Sequence, residues 1–111
     1  MKIKDLSSRM RHRITIEQSV NTENESGGFT TSWDEVDIVW AEILPIRADE
    51  KLRFGKVNAE ISHKITIRYL ANLTEDMRID FGGRYFNIRS IINPQERNEY
   101  LEIIAEEGVE Q

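Results

Sequence analysis

Apolar and polar residues alternate with a period of two along much of the chain, which is the pattern of strands that bury one face. Over 12–18, Ile14 and Ile16 oppose Arg13, Thr15 and Glu17; over 62–70, Ile65, Ile67 and Tyr69 oppose Lys64, Thr66 and Arg68. Over 77–81, Met77, Ile79 and Phe81 oppose Arg78 and Asp80, and Gly82-Gly83 then leads into a run over 84–92, a spacing that predicts a tight primed-turn hairpin. A last strand over 100–105 places Leu101, Ile103 and Ala105 on one face. Between these lie a short strand over 29–33 and a longer one over 36–46, apolar on both faces, with Ile38 and Trp40 on one and Val39, Ala41 and Ile43 on the other. Two-sided apolarity predicts a barrel wall covered from outside, with Trp33 and Trp40 as core residues.

The segments between these runs are polar. Residues 20–28 are dense in Asn, Glu, Ser and Gly and predict a mobile loop, and 93–98 predict a second polar connection. Pro45 ends its strand for want of an amide donor, and 48–59 offer helix formers interrupted by Gly55, so one short helix and a loop are expected there. The expected fold is mainly β: a small antiparallel β-barrel of about six strands in meander-like order, with one short helix/loop insertion. Closing the sheet also removes exposed strand edges. The expected organisation is an N-terminal arm over 1–11, flexible or a short helix opened by Asp5 or Ser7, a barrel domain over 12–107 and a C-terminal tail over 108–111.

Composition agrees with this picture and narrows the chemistry. The chain has 111 residues, enough for one modest core, and fifteen Ile and five Val against six Leu favour a pleated sheet. There is no Cys, which rules out disulfides and thiolate metal sites. No apolar run is long enough for a transmembrane helix, and Met1-Lys2-Ile3-Lys4-Asp5 lacks the apolar core of a secretory signal, so no membrane partner and an intracellular chain are expected. The net charge of −5 disfavours tight nucleic-acid binding, but it is unevenly spread. Arg9, Arg11 and Arg13 crowd the beginning and Glu99, Glu102 and Glu106 the end, so neighbouring copies could attract through these residues.

No catalytic, metal or cofactor site is expected. His12 and His63 lie in strand-like runs with no nucleophile motif beside them, so they read as surface or rim residues. The acidic pairs Glu23/Glu25, Asp34/Glu35 and Asp49/Glu50 match no calcium loop, and the Gly-Gly pairs lack the lysine of a phosphate-cradling loop. Tyr69, Tyr85 and Phe86 interleaved with Arg68 and Arg89 suggest an alternative, a small nucleic-acid-binding β-barrel module that stacks bases on its rings. Against it, Tyr69 and Phe86 fall on the inward faces, where aromatic residues are core.

Several stretches in one order, Arg11-His12-Arg13-Ile14-Thr15-Ile16, Gly27-Gly28, Trp40-Ala41-Glu42-Ile43, His63-Lys64-Ile65-Thr66-Ile67-Arg68-Tyr69, Met77-Arg78-Ile79 and Gly83-Arg84-Tyr85-Phe86-Asn87-Ile88, resemble the head-tail joining family of tailed bacteriophages. Asn93-Pro94 and Glu99-Tyr100-Leu101-Glu102 extend the resemblance, which spans roughly 12–106. It implies a structural head-closure or stopper protein of a virion or prophage, not an enzyme: a barrel whose copies, commonly twelve, form a homo-oligomeric ring between the portal-side adaptor and a tail-completion or tail-tube protein. The implied location is the host cytoplasm during assembly and then the virion neck. In that family the segment matching 46–62 reaches toward the channel and helps hold packaged double-stranded DNA, although Ala48-Asp49 stands here where relatives often keep a Gly. Arg47, Lys51, Arg53 and Lys56 are the cations in that segment, and either phosphate contact or a solvated helix face above Leu52 and Phe54 would use them.

Overall fold

The computed structural model describes residues 8–46 and 62–108. The predicted helix over 48–59, and with it Arg47, Lys51, Arg53 and Lys56, lies outside the described residues, as do residues 1–7 of the arm. Six strands, β1 (His12–Glu23), β2 (Phe29–Pro45), β3 (His63–Arg68), β4 (Arg78–Phe81), β5 (Arg84–Ile92) and β6 (Tyr100–Gly108), form a closed antiparallel barrel in the order β1-β2-β3-β6-β5-β4. The mainly β barrel predicted from alternation is therefore present, but its order is not a simple meander. After β3 the chain crosses an end of the barrel to reach β4 beside β1, and Leu73 and Met77 of that crossing join the core.

The core is the set of inward positions that alternation marked. Ile14 and Ile16 of β1, Ala41 of β2, Ile65 and Ile67 of β3, Ile79 of β4, Phe86 and Ile88 of β5, and Leu101, Ile103 and Ala105 of β6 form one buried cluster. A barrel of this size has an interior filled by side chains, so it is a packed core and not a pore. Gly82 and Gly83 turn β4 into β5 with φ of 59° and 89°, a left-handed pair that only glycine adopts without strain, as the primed-turn hairpin requires. On the outer wall a second small cluster joins Ile46, Ile104 and Ile92.

Four differences from the sequence reading have one root: alternation marks a buried face, but it shows neither where an uncovered strand continues nor what covers a face. The predicted loop over 20–28 is strand as far as Glu23 and again from Phe29, and the two predicted strands over 29–33 and 36–46 are one. Tyr69, expected inward, lies past the end of β3 and is exposed. Trp40, expected in the core, points outward from β2 and is 52% exposed, with Ile38 also exposed on the same face.

The consequence for shape is a projecting ribbon. β1 pairs with β4 only through Thr15–Glu17, and β2 pairs with β3 only through Ala41–Pro45, whereas β1 and β2 pair with each other out to Glu23 and Phe29. The two strands thus leave the barrel together as a two-stranded arm. The molecule accordingly measures 52 × 29 × 26 Å, and its radius of gyration of 15.2 Å exceeds the roughly 13 Å of a compact chain of this length.

Candidate functional site

The arm is fixed at its root by four side chains from four strands. The bulge between Ile16 and Glu17 shifts the β1–β2 register, so that Glu17 faces Glu35 and Val36 turns in against the core. On the outer face, Arg78 Nε of β4 donates to Glu17 Oε1 at 2.8 Å. The Arg78 guanidinium carbon lies 4.0 Å from the ring centroid of Trp33 and 4.1 Å from that of Tyr85. Arg78 is thereby buried, and a planar cation held between two rings and a carboxylate is a geometry that Lys does not reproduce. Among the described residues the buried Trp33 Nε1 finds no hydrogen-bond acceptor, so the indole contributes its ring face rather than its N–H.

At the tip, Asn24 Oδ1 accepts from the backbone N–H of Ser26 and of Gly28, each at 3.0 Å, and the Asn24 N–H donates to the Gly28 carbonyl at 2.9 Å. This closes the hairpin and leaves Phe29 beside the turn, 70% exposed. The arm and its flanks are strongly acidic: between Arg13 and Arg47 the sequence has Glu17, Glu23, Glu25, Asp34, Glu35, Asp37 and Glu42 and no Lys or Arg. Glu17 is taken by Arg78 and Glu42 by Arg9, at 3.3 Å. The other five carboxylates have no cation among the described residues. This charge gap is written in the sequence and was overlooked there because the segment read as a loop and two separate strands.

Behind the arm, the outer face of β2 carries an apolar row of Ile38, Trp40 and Leu44, all exposed. Arg13, opposite Trp40 in the β1–β2 register, places its guanidinium 5.3 Å from that ring. Arg11 donates through Nε to the Ser8 carbonyl at 3.2 Å. Arg11 and Leu44, with Ser8, Arg9, His12, Glu42 and Ile43, line an open cavity of about 280 Å³ at this edge.

The cations and acids singled out from the sequence are not gathered in one place. Glu102 pairs with Lys64 at 3.7 Å, Glu99 with Arg97 at 4.0 Å, and Glu106 accepts from Arg89 Nε at 2.9 Å, all within the chain. Of the basic group, Arg9 is committed to Glu42, while Arg11 and Arg13 have no carboxylate partner among the described residues. Phe86 is fully buried, which removes it from any base-stacking surface. Among the described residues no cluster of His, Asp and Glu is arranged to hold a metal ion, and no helix is long and apolar enough to cross a membrane.

At the end of β2 away from the arm, the chain leaves the barrel at Ile46 and re-enters at Ser62, and the two are joined by the Ile46 N–H to the Ser62 carbonyl at 2.8 Å. Ser62 Oγ accepts from the Glu107 N–H and lies 2.8 Å from His63 Nδ1, and the His63 ring meets Phe86 edge-on at 5.0 Å. Burial pushes the His63 pKa below its ordinary 6.5, against an upward pull from Glu107 and with a smaller downward push from Arg84. The folded chain therefore holds this ring neutral, while the unfolded chain protonates it near about 6.5. The stability that the neutral ring secures is present above that pH and is lost as pH falls through the lower folded value. Melting temperature should drop between pH 7 and pH 5, more steeply in the wild type than in His63→Asn.

Comparison with known proteins follows the same outline as the fold. The family model described as phage head completion protein matches residues 6–108. Among solved structures, the solution structure of protein SF1141 from Shigella flexneri 2a is 26% identical, covers 93% of this chain and 96% of that one, and superposes with a TM-score of 0.75. A chain in the virion of a native gene transfer agent particle is 23% identical over 92% of this chain and 98% of that one, with a TM-score of 0.61, a likeness of fold. No curated protein matches.

Proposed function

The chain belongs to the phage head completion protein family, and from that premise we propose that it closes the DNA-filled head as a ring of identical copies and gives the tail its docking surface. The resemblance read from the sequence thus meets a family whose role is structural, in assembly of the phage head. The finer reading takes from that resemblance a ring, commonly of twelve, seated between the portal-side adaptor and a tail-completion or tail-tube protein at the virion neck, after assembly in the host cytoplasm. The observation that carries it is the match to that family over 6–108, on a barrel whose distinctive parts face outward: an acidic arm at one end of β2 and an exposed Trp40 row behind it. Ring contacts are heterologous, one patch meeting a different patch on the next copy, and a chain with two unlike exposed surfaces supplies them.

The ends of the insertion over 46–62 are joined by the Ile46–Ser62 hydrogen bond, and a role of that insertion toward packaged DNA is the other half of the proposal. Replacing Arg47, Lys51, Arg53 and Lys56 together by Gln should leave ring and fold intact but release DNA from filled, tail-less heads, measured as nuclease-sensitive genome. Full retention would remove phosphate contact from the role. The whole reading is tested by electron microscopy of particles lacking this chain: filled heads without tails, or heads that have lost their DNA, are expected. Normal tailed particles would overturn it.

A further inference from the structure

We propose that the β1–β2 arm of one copy docks, Phe29 foremost, on the outer β2 face of a second copy, with the arm's carboxylates meeting Arg11 and Arg13 around Trp40. The proposal rests on the ring reading above and names the contact that would build the ring.

Charge selects the occupant. Glu23, Glu25, Asp34, Glu35 and Asp37 have no cation partner among the described residues, and Phe29 beside them is exposed. Among the described residues such a ribbon has open edges, since β1 beyond Glu17 and β2 before Ala41 pair there only with each other. Open edges invite strand pairing, but two arms laid side by side would set like charges against one another, so the arm is guarded against its own kind and suited to a basic surface. DNA is excluded as its occupant by the same sign.

The basic surface is on the same molecule. Among the described residues, Arg9, Lys64, Arg78, Arg84, Arg89 and Arg97 are each within salt-bridge distance of a carboxylate of the chain. Arg11 and Arg13 are not, and they flank the apolar row of Ile38, Trp40 and Leu44. An aromatic tip with acidic sides is thus matched by an aromatic row with basic sides. The arm does not reach that row in its own molecule: Phe29 and Trp40 lie on the same strand, about 35 Å apart at roughly 3.3 Å per residue, with the ribbon pointing away. The complement is met only between copies, by a head-to-tail contact that either closes into a ring or propagates.

The absence of Cys makes a clean test available. Heads are assembled with a mixture of two single-cysteine chains, Thr30→Cys at the arm tip and Thr15→Cys beside Ile38, and oxidised; Arg97→Cys replaces Thr15→Cys as the control. A mixed disulfide dimer of Thr30→Cys with Thr15→Cys, and little with the control, is the expected result. Asp34→Lys with Glu35→Lys should lower its yield by roughly tenfold, as should Arg11→Glu with Arg13→Glu, and mixing the two reversed chains should restore it. All substituted positions lie on the outer surface, and circular dichroism verifies that each variant folds. Copies seen as a ring at the neck without the mixed product overturn arm docking and leave the ring. A Thr30→Cys homodimer, or a cross-link from Thr30→Cys to a different protein, overturns the choice of occupant. A neck with no ring of this chain overturns the ring reading itself.

Discussion

Replacing Arg78 by Ala should cost about 3 kcal/mol of folding stability, because it removes a buried cation from between two rings and strips the half-buried Glu17 carboxylate of its partner. Glu17 is left beside Trp33 and Tyr85 with no partner at 2.8 Å, and the two ring faces lose the guanidinium each touches. The ordering of variants isolates the cause. Arg78→Lys keeps charge but not the plane, and should recover less than half of the loss. Arg78→Met combined with Glu17→Leu removes the charge pair as a unit and should lie close to wild type, since well-packed apolar pairs replace buried ion pairs at little cost. Trp33→Phe should be mild by comparison with Trp33→Ala, because the buried indole N–H it deletes has no acceptor among the described residues. Urea unfolding of the set gives these differences, and an Arg78→Lys chain as stable as the wild type would show that planarity is irrelevant.

That clamp links fold to function, since it fixes the direction in which the arm leaves the barrel. Glu17 and Arg78 face each other across the β1–β4 register, while Trp33 comes from the outgoing part of β2 and Tyr85 from β5. With the clamp intact the arm starts as a stiff extension of the wall, so in the proposed contact its tip would reach a neighbour without first losing much conformational freedom. Loosening Arg78 should therefore weaken assembly beyond what the loss of folded chain explains.

The barrel was legible in the sequence because burial on one face writes a period of two, and Ile14/Ile16, Ile65/Ile67 and Leu101/Ile103 carry it without interruption. Gly82-Gly83 was legible because its backbone angles demand glycine. The arm was not, and the reason is physical: a ribbon wet on both faces has no inside, so Asn21-Thr22-Glu23 follow no hydrophobic period and read as loop, and the strand over 29–33 carried no sign that it continues into the next. Its charge was legible, but only once β1 and β2 are known to be one hairpin. The clamp was beyond pattern reading altogether, because Glu17, Trp33, Arg78 and Tyr85 are brought together by barrel closure and not by spacing. The order β3-β6 and β4-β1 escaped for a related reason, since alternation fixes which face of a strand is inward but not which strand lies beside it.

Phe86→Ala should cost about 3 to 5 kcal/mol, whereas Trp40→Ala should cost about 1 kcal/mol or less, reversing the ranking that residue size alone suggests. Phe86 is fully buried in the barrel, edge-on to His63 at 5.0 Å, so truncation leaves a void that the surrounding Ile side chains cannot fill without moving strands. Trp40 is 52% exposed, and its cross-strand neighbour Arg13 holds its guanidinium 5.3 Å from the ring. Losing it forfeits a partial contact and creates no cavity. The two variants should therefore separate stability from assembly: Phe86→Ala lowers the melting temperature and loses assembly only in proportion to unfolded chain, while Trp40→Ala melts near the wild type yet fails to join its neighbours. Thermal unfolding beside particle assembly reads both. A Trp40→Ala chain that assembles normally would mean that the exposed row on β2 is ordinary surface, and an exposed tryptophan flanked by arginines that have no carboxylate partner among the described residues would then have no role in joining copies.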